Sequence, residues 1–519
     1  MNKKYVVAGF LFWASVSGYM GLRILESYTE DAVAAALTCI PATAREVKFS
    51  FLSKDLVLEG LQYEIPDEKV QRKGTVERIE VKGFNRKILF VTPRMPEYAP
   101  EGLPAVAERI TATGIMESRH ESYARTEVSL DSLEIIGWGQ RLGILLDRYA
   151  RGGADERFFE ELFRCGMDRV HVSGLLIRQE DSRDKDAVQL RLDKMLLPEG
   201  ITPPQAGEYA HPLHVLLEGS SCGGADWNFS SGRLELLDFT PPAPSSLSKM
   251  HSFDLVRWLA AYATREGHQP LRPFFTGLHA DACRFQAKGS GQAASLAGLS
   301  LAVDPKDAGT DIDLALSGLH IPNDVLAQYG GTVEKHAAGG VKADLRFRGN
   351  MTGSGCISSL EVLLHGLGKL DVAASLAGDM DVLFSCALSQ EMQPVFLKRL
   401  AEMRMERIKM TYEDSGLCAL ALEIAAKKAG MMPLDFLDAL DARAAMELQK
   451  SADSRIVGDA ARILREQLHA PGTITAELAQ GKRPTLAQLA LTILTQPAKL
   501  PVFLSSAPGK KPMRSYFHS

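Results

Sequence analysis

Short segments in which apolar residues alternate with other residues and then meet a glycine recur along this chain. The clearest is Leu56-Val57-Leu58-Glu59-Gly60-Leu61. Because neighbouring side chains of a strand point to opposite faces, Leu56 and Leu58 share one face, and Gly60 falls on it too. The glycine either leaves a notch on that face or forms a bulge that returns Leu61 to it. The chain is therefore predicted to build its core from β-strands.

The template returns with regular spacing. The interval from Gly60 to Gly83 equals the interval from Gly114 to Gly137, at 23 residues, and a looser copy centres on Gly298. With 44 glycines and 45% hydrophobic residues, composition alone would supply about four matches by chance. The equal intervals favour a decayed β-repeat over chance. The predicted repeat glycines are Gly60, Gly83, Gly114, Gly137, Gly174, Gly318 and Gly366.

The first 25 residues are predicted to be a transmembrane anchor. Lys3 and Lys4 precede an uncharged run of about 18 apolar or small residues, which is just long enough to span a bilayer as a helix. The lysines place the N-terminus in the cytoplasm and the rest of the chain outside. The alternative is a cleaved signal peptide, because Ser15-Val16-Ser17 offers small residues in a cleavage-like arrangement. The predicted anchor residues are Tyr5, Phe10, Leu11, Phe12, Trp13, Tyr19 and Leu22.

The predicted fold class is mainly β with α: an N-terminal transmembrane helix, an elongated antiparallel β-sheet or half-pipe of decayed repeats, and a helical C-terminal region. The predicted regions are an anchor over 1–25, β-repeats with short capping helices over 26–240, a second β-rich region over 241–390 and a mainly helical region over 391–519. Strand signals include 56–65, 187–197, 277–287, 357–376 and 473–478. Helical spacing follows over 417–429 and 434–449.

Charge and cysteine usage exclude several classes. A formal net charge of −5 argues against a dedicated nucleic-acid binder. None of the seven cysteines is near another, so the spacing of a redox motif or zinc ribbon is absent from the sequence. We interpret most of them as small buried hydrophobes, with one or two disulfides if the compartment is oxidising.

The sequence provides no convincing catalytic or cofactor motif. Gly289-Ser290-Gly291-Gln292-Ala293-Ala294 matches a loose dinucleotide pattern, but a strand-like segment follows where a helix is required, so we interpret it as a hairpin turn. His211 and His214 are three apart around Pro212, unlike a zinc helix. A GxSxG elbow and a phosphate loop are both absent from the sequence. We therefore predict a non-enzymatic protein without catalytic, cofactor or metal residues.

The order of features resembles the opening of AsmA-like bacterial envelope proteins and related families with a single anchor. A basic start and one anchor lead to an alanine-rich helix, then Val47-Lys48-Phe49-Ser50, residues 56–61 and Val76-Glu77-Arg78-Ile79-Glu80-Val81-Lys82-Gly83-Phe84. The resemblance covers about residues 1–90 and continues in style to about 380. It implies an inner-membrane protein with a periplasmic, groove-forming β-sheet and a role in phospholipid traffic or outer-membrane upkeep. This chain is shorter than the large members and ends in helices, so direct bridging of two membranes is not implied.

Two functions remain open at this point. Strands with one apolar face must have that face covered, by a second sheet or by curling into a half-pipe whose dry lining suits acyl chains. The first hypothesis is a membrane-anchored periplasmic β-groove protein that binds or shuttles phospholipid or another acyl-chain lipid, or supports outer-membrane upkeep. The alternative is an envelope scaffold or assembly factor whose β-modules bind protein partners. The composition of the sheet faces discriminates between them.

Overall fold

The chain divides into two compact units, Met1–Ser252 and Phe253–Ser519. The structure is a computed structural model that describes residues 20, 22–35, 37–38, 41–65, 70–85, 107–121, 124–138, 166–181, 187–201, 212–224, 226–239, 275–287, 293–306, 309–323, 339–378, 398, 401–439, 442, 472–478, 483–488 and 504–508. These residues are mainly antiparallel β-strands with few helices, which confirms the predicted β-rich class.

The first unit begins with helix α1, residues 22–35, and continues as an antiparallel meander. Strands β3 to β9 each pair with the next strand along the chain, while β1 and β2 both pair with β3. The strands are β1 Ala42–Thr43, β2 Glu46–Ser50, β3 Asp55–Ile65, β4 Val70–Lys82, β5 Ala107–Glu121, β6 Ala124–Trp138, β7 Arg169–Asp181, β8 Ala187–Leu197, β9 Leu213–Gly223 and β10 Trp227–Phe239.

The second unit is also a meander, in which each strand from β11 to β18 pairs with the next. Helices α2, Leu417–Lys428, and α3, residues 433–439, lie between β17 and β18 in the chain. The strands are β11 Gly277–Ala287, β12 Ala294–Lys306, β13 Gly309–Ile321, β14 Val341–Thr352, β15 Gly355–Leu364, β16 Gly368–Ala377, β17 Arg404–Asp414, β18 Thr473–Leu478 and β19 Leu504–Pro508.

The repeat glycines inside strands act as bulges. Gly174, in β7, has a φ of 64°, a left-handed conformation that glycine adopts without steric cost. On either side of it, Val172 and Leu175 pack in the same hydrophobic cluster although they are three residues apart. Uninterrupted alternation would place them on opposite faces. The extra residue therefore returns Leu175 to the core face, the second of the two roles considered for the template glycine.

The neighbouring strands carry a matching irregularity, so the register does not shift. On β6, Leu130 and Leu133 are likewise three apart and pack against that same cluster, and β6 pairs with β7 in one register on both sides of Gly174. Because both strands of each pair contain the extra residue, the irregular positions line up as a row across the sheet.

Glycines and acidic residues alternate along these rows. Opposite Gly114 on β5 lies Glu77 on β4, and a Cβ on Gly114 would come within 2.7 Å of the Glu77 Cβ and 2.8 Å of its Oε2. Each neighbouring strand thus fills the space that a side chain on the glycine would need. The register gives one row as Gly60, Glu77, Gly114, Asp131, Gly174, Asp193 and Gly219, and a second as Gly83, Glu108, Gly137 and Asp168.

The first unit fills two parts of its apolar face with its own side chains. One cluster joins Val33 of α1 to Phe49, Leu56, Leu58, Val81, Phe84, Ala107 and Ile110. A second cluster contains Ile135, Met167, Val170, Val172, Leu197, Ile201 and Leu213. All of these side chains are buried. An open apolar trough is therefore not found along these two clusters. Elsewhere on the same face, Leu61, Ile115 and Leu130, which register aligns across β3 to β6, are half-buried.

The anchor prediction falls almost wholly outside the described residues. Among those residues, none of the helices combines the length and the apolar character that crossing a bilayer requires. Leu22 is the one predicted anchor residue that is described, and it lies half-buried in α1. The anchor residues outside the described part of the chain are Tyr5, Phe10, Leu11, Phe12, Trp13 and Tyr19. The transmembrane helix stays a prediction.

Candidate functional site

The sheet of the second unit presents two rows of apolar side chains on one face. Antiparallel register aligns the residues of each row directly across β12 to β17. The first row is Leu299, Leu316, Leu345, Val362, Leu370 and Tyr412, and the second is Leu301, Leu314, Phe347, Leu360, Val372 and Met410. We call these two rows the β12–β17 apolar face.

This face is not closed off from solvent. Met410 is 37% exposed, and the other side chains of both rows are half-buried. The apolar face between β3 and β7 is mixed: Leu58, Ile135 and Val172 are buried, whereas Ile115 and Leu130 are half-buried. Contiguous half-exposed apolar surface is rare on a monomeric soluble protein and marks a binding surface for an apolar partner.

The opposite face of the same strands is charged and internally paired. Arg346 Nη2 lies 2.7 Å from Asp313 Oδ2, and Lys369 Nζ lies 2.7 Å from Glu361 Oε1. The hydrogen bond from Arg346 holds the pKa of Asp313 below its ordinary value, and that from Lys369 does the same for the pKa of Glu361. The sheet thus has one solvated, ionised face and one apolar face, the pattern of an antiparallel sheet whose second side is made for burial.

Both ends of the apolar face are covered. At one end, Leu417, Leu420 and Ile424 of α2 pack with Leu364 and the buried Leu367. At the other end, Cys356 packs with Met351, Leu376, Met403 and Leu486. On β15 the positions of these two clusters, Cys356 and Leu364, are eight residues apart, or about 27 Å at ~3.4 Å per residue. The half-exposed surface lies between them.

A buried polar group fixes α2 at its end of the face. Asp414 is 2% exposed, and its Oδ1 accepts hydrogen bonds from the Tyr412 hydroxyl at 2.6 Å and the Cys418 amide at 3.0 Å. A carboxylate at the first turn of a helix satisfies free N–H groups and complements the helix dipole. Burial, then the Asp414 charge, raises the pKa of the Cys418 thiol to about 12. The thiol is protonated at neutral pH and this cluster is a helix cap, not a nucleophile.

Two cavities in the described residues have mixed linings, in which Met116 and Leu176 line the first and Ile312 and Ile357 line the second alongside charged side chains. One, of about 710 Å³, is lined by Gln62, Glu64 and Lys73 among others, and the second, of about 520 Å³, by Asp311 and Asp313 among others. Neither cavity is lined by residues of the β12–β17 apolar face.

The repeat glycines do not converge on one point. Gly60, Gly114 and Gly174 lie in one row of the first unit, and Gly83 and Gly137 lie in the other. Gly318 lies in β13, where its amide donates a 2.6 Å hydrogen bond to Asp344 Oδ1. Gly366 lies in the turn between β15 and β16, so the strand signal over 357–376 covers two strands. These glycines shape the sheets and do not form a ligand site.

The acidic partners of the glycines were missed at the sequence level, although a signal was present. Four consecutive strands share a nine-residue order: apolar, acidic, Arg or Ser, apolar, any, apolar, any, Gly, apolar. The segments are 76–84, 107–115, 130–138 and 167–175. Aligning them on glycine would have revealed the acidic residue six positions earlier, and hence the rows.

The histidine motif does not assemble into a metal site in the described residues. A group of three or more His, Cys, Asp or Glu side chains suited to a metal is absent from that part of the chain. His214 Nε2 instead lies 2.8 Å from Glu235 Oε1 on the next strand. Strands β11 and β12, on either side of the glycine-rich motif, pair antiparallel. Residues 289–292 of that motif lie outside the described residues, so the hairpin turn stays a prediction. Cys222, Cys283, Cys356 and Cys418 are reduced.

Comparison with known proteins gives one match. A family model described as "Uncharacterized protein" matches residues 361–506, the part of the second unit that contains the end of β15, then β16 to β18 with α2 and α3, and the start of β19. None of the curated proteins matches the chain, and none of the solved structures does.

Proposed function

We propose that this chain is a membrane-anchored, non-enzymatic protein of a bacterial cell envelope that binds acyl chains of lipid on the β12–β17 apolar face. The observation that carries the proposal is the half-exposed state of both apolar rows, on a sheet whose other face is ionised. Removing those side chains from water would contribute about 25 cal/mol for each Å² covered.

The dimensions of the face suit an acyl chain lying along the strands. One acyl chain spans about half of a ~30 Å hydrocarbon core, or ~15 Å. The two covered ends of the face are about 27 Å apart along β15 at ~3.4 Å per residue. The described side chains in the middle of both rows, from Leu345 and Phe347 to Leu370 and Val372, carry no charge.

The proposed location is the bacterial inner membrane, crossed once, with the N-terminus cytoplasmic and the body periplasmic. It is supported by the uncharged apolar run over residues 5–22 and by Lys3 and Lys4 before it. There the protein would shield or shuttle lipid, or support outer-membrane upkeep. An envelope scaffold that binds protein partners through the same face is the competing outcome of the experiment.

The test places a charge on the β17 side of the apolar face. Met410→Glu should weaken binding of a fluorescent fatty acid to the purified full chain by about 10- to 100-fold, because a carboxylate against hydrocarbon loses its hydration. Lipid extracted from the wild-type protein and identified by mass spectrometry should be depleted in this variant. Binding is measured by fluorescence titration in mild detergent.

Leu363→Glu is the matched control. Leu363 is also 37% exposed, but it lies on β15 between Val362 and Leu364 and therefore points to the charged face. This variant should bind the fatty acid like the wild type. Equal affinities of wild type and Met410→Glu, or a wild-type protein that carries no lipid and instead captures a defined protein through this face, would rule out the lipid proposal.

A further inference from the structure

Large apolar side chains are exposed together near the start of the first unit. Met20, Ile24 and Tyr28 are helical residues four apart, which form one stripe along a helix. Leu25 lies beside this stripe, and Leu52 lies in the turn between β2 and β3. Ile24 is 67% exposed and Leu52 is 82% exposed. We call these five residues the helix–turn patch.

The opposite side of α1 is fixed to the edge of the sheet. Glu30 Oε1 accepts a 2.7 Å hydrogen bond from the Phe49 amide, and Glu26 Oε1 accepts a 2.9 Å bond from the Phe51 amide. In the described residues β2 pairs with β3 alone, so these amides lie on the outer edge of the sheet, where unpaired N–H groups invite strand addition. The two glutamates, one turn apart, cover that edge, while Val33 is buried beneath.

These contacts bring the turn next to the helical stripe. Leu52 directly follows Phe51, whose amide is bonded to Glu26, and Glu26 lies in the same turn of α1 as Ile24 and Leu25. The exposed side chains of α1 and of the turn therefore form one surface. Because α1 is held at two points and by core packing, this surface has a fixed orientation relative to the sheet.

The chain itself indicates what covers the patch. The first residue of the stripe, Met20, lies near the end of the uncharged apolar run over residues 5–22. The stripe ends at Tyr28, because the next turn carries the exposed Asp31. Exposed Arg23, whose Nη1 lies 3.3 Å from Glu26 Oε2, and exposed Lys54 flank it. Cationic side chains in this position suit lipid phosphates. An apolar patch with an aromatic residue and cations at its border is the composition of a surface that lies in a membrane interface.

We propose that the helix–turn patch is a membrane contact: it inserts about 5–10 Å into the interface of a bilayer that contains anionic phospholipid. It thereby holds the β2 edge of the first unit's sheet at the membrane surface. The proposal does not depend on acyl-chain binding by the second unit, and it adds a second attachment to the predicted anchor.

The test uses the full chain reconstituted into vesicles of phosphatidylcholine and phosphatidylglycerol, with and without brominated acyl chains. A Leu52→Trp variant should add an emission component that is blue-shifted and quenched at least twofold by the brominated lipid. The Met116→Trp variant is the control, because Met116 is 59% exposed on β5 outside the patch, and its component should not be quenched. The native tryptophans are common to both variants and are subtracted.

A second probe keeps the experiment decisive if Leu52→Trp does not fold, as judged by circular dichroism. Tyr28→Trp replaces one exposed aromatic ring with another at the border of the patch and should be quenched as well. If neither probe is quenched more than Met116→Trp, the membrane contact is refuted. A second copy of the chain or a protein partner covering the patch would give that result.

Discussion

Gly318 allows the bulge explanation to be tested with a defined magnitude. It lies in β13 with a φ of 62°, and a Cβ there would come within 2.7 Å of the Ala297 Cβ on β12. Gly318→Ala should cost about 1–2 kcal/mol for the left-handed backbone and a further ~1–3 kcal/mol for displacing β12. The hydrogen bond to Asp344 uses the backbone amide, which alanine retains.

Two other variants separate these contributions. Gly366 has a φ of 76° and open space where a Cβ would lie, so Gly366→Ala should lose only the ~1–2 kcal/mol of the backbone contribution. Ala297→Gly removes the neighbouring Cβ at a cost of about 0.5–1 kcal/mol. In that background, Gly318→Ala should cost only ~1–2 kcal/mol, which makes the coupling between the two positions ~1–3 kcal/mol.

The assay is denaturant-dependent hydrogen exchange read by mass spectrometry, with peptides from β12–β13 and from the β15–β16 turn followed separately. Local measurements are needed because a chain with two compact units has no single well-defined free energy of unfolding. A Gly318→Ala variant no less stable than Gly366→Ala, or additive costs of Ala297→Gly and Gly318→Ala, would refute the explanation.

Three further predictions concern single groups. Glu30→Ala should destabilise the first unit by about 1–3 kcal/mol, because the Phe49 amide loses its acceptor, and urea denaturation with a Glu30→Gln control measures this. Arg346 lowers the folded-state pKa of Asp313. The contribution of this ion pair to the free energy of unfolding is therefore fully present above the unfolded pKa of about 3.9 and is lost as pH falls through the lower folded-state pKa. Arg346→Gln should flatten the pH dependence of the free energy of unfolding between about pH 5 and pH 2. The Cys418 thiol, with a pKa of about 12, should be labelled by maleimide at pH 8 more slowly than an exposed cysteine, and peptide mapping that finds equal rates would contradict this.

The positions of the strands could be predicted because alternation is a local property. The predicted strands over 187–197, 277–287 and 473–478 coincide with β8, β11 and β18. The turn at residues 365–367 was missed because the apolar residues on either side of it continue the strand pattern. Of the candidate site, the sequence predicts which residues share a face.

Burial could not be predicted in this way, because it depends on contacts between distant segments. Val172 and Leu301 lie in similar alternating strands, yet Val172 is buried by neighbours that include Ile201, while Leu301 stays half-buried. The pairing of Glu77 with Gly114 likewise requires the register of β4 with β5. Only the folded sheet shows which apolar face is already filled.

The reciprocal rows of the first unit make its strands interchangeable in pairs. On β4 the acid–glycine pair is Glu77 and Gly83, and on β7 it is Asp168 and Gly174. Because β4 to β7 pair in unbroken antiparallel order, removing one hairpin, β5 with β6, would bring β4 against β7 with each glycine again facing a carboxylate. A lineage could therefore lengthen or shorten this sheet by whole hairpins. Gain or loss of a single strand would instead reverse the direction of every later strand, so that the glycines would no longer face carboxylates at that junction.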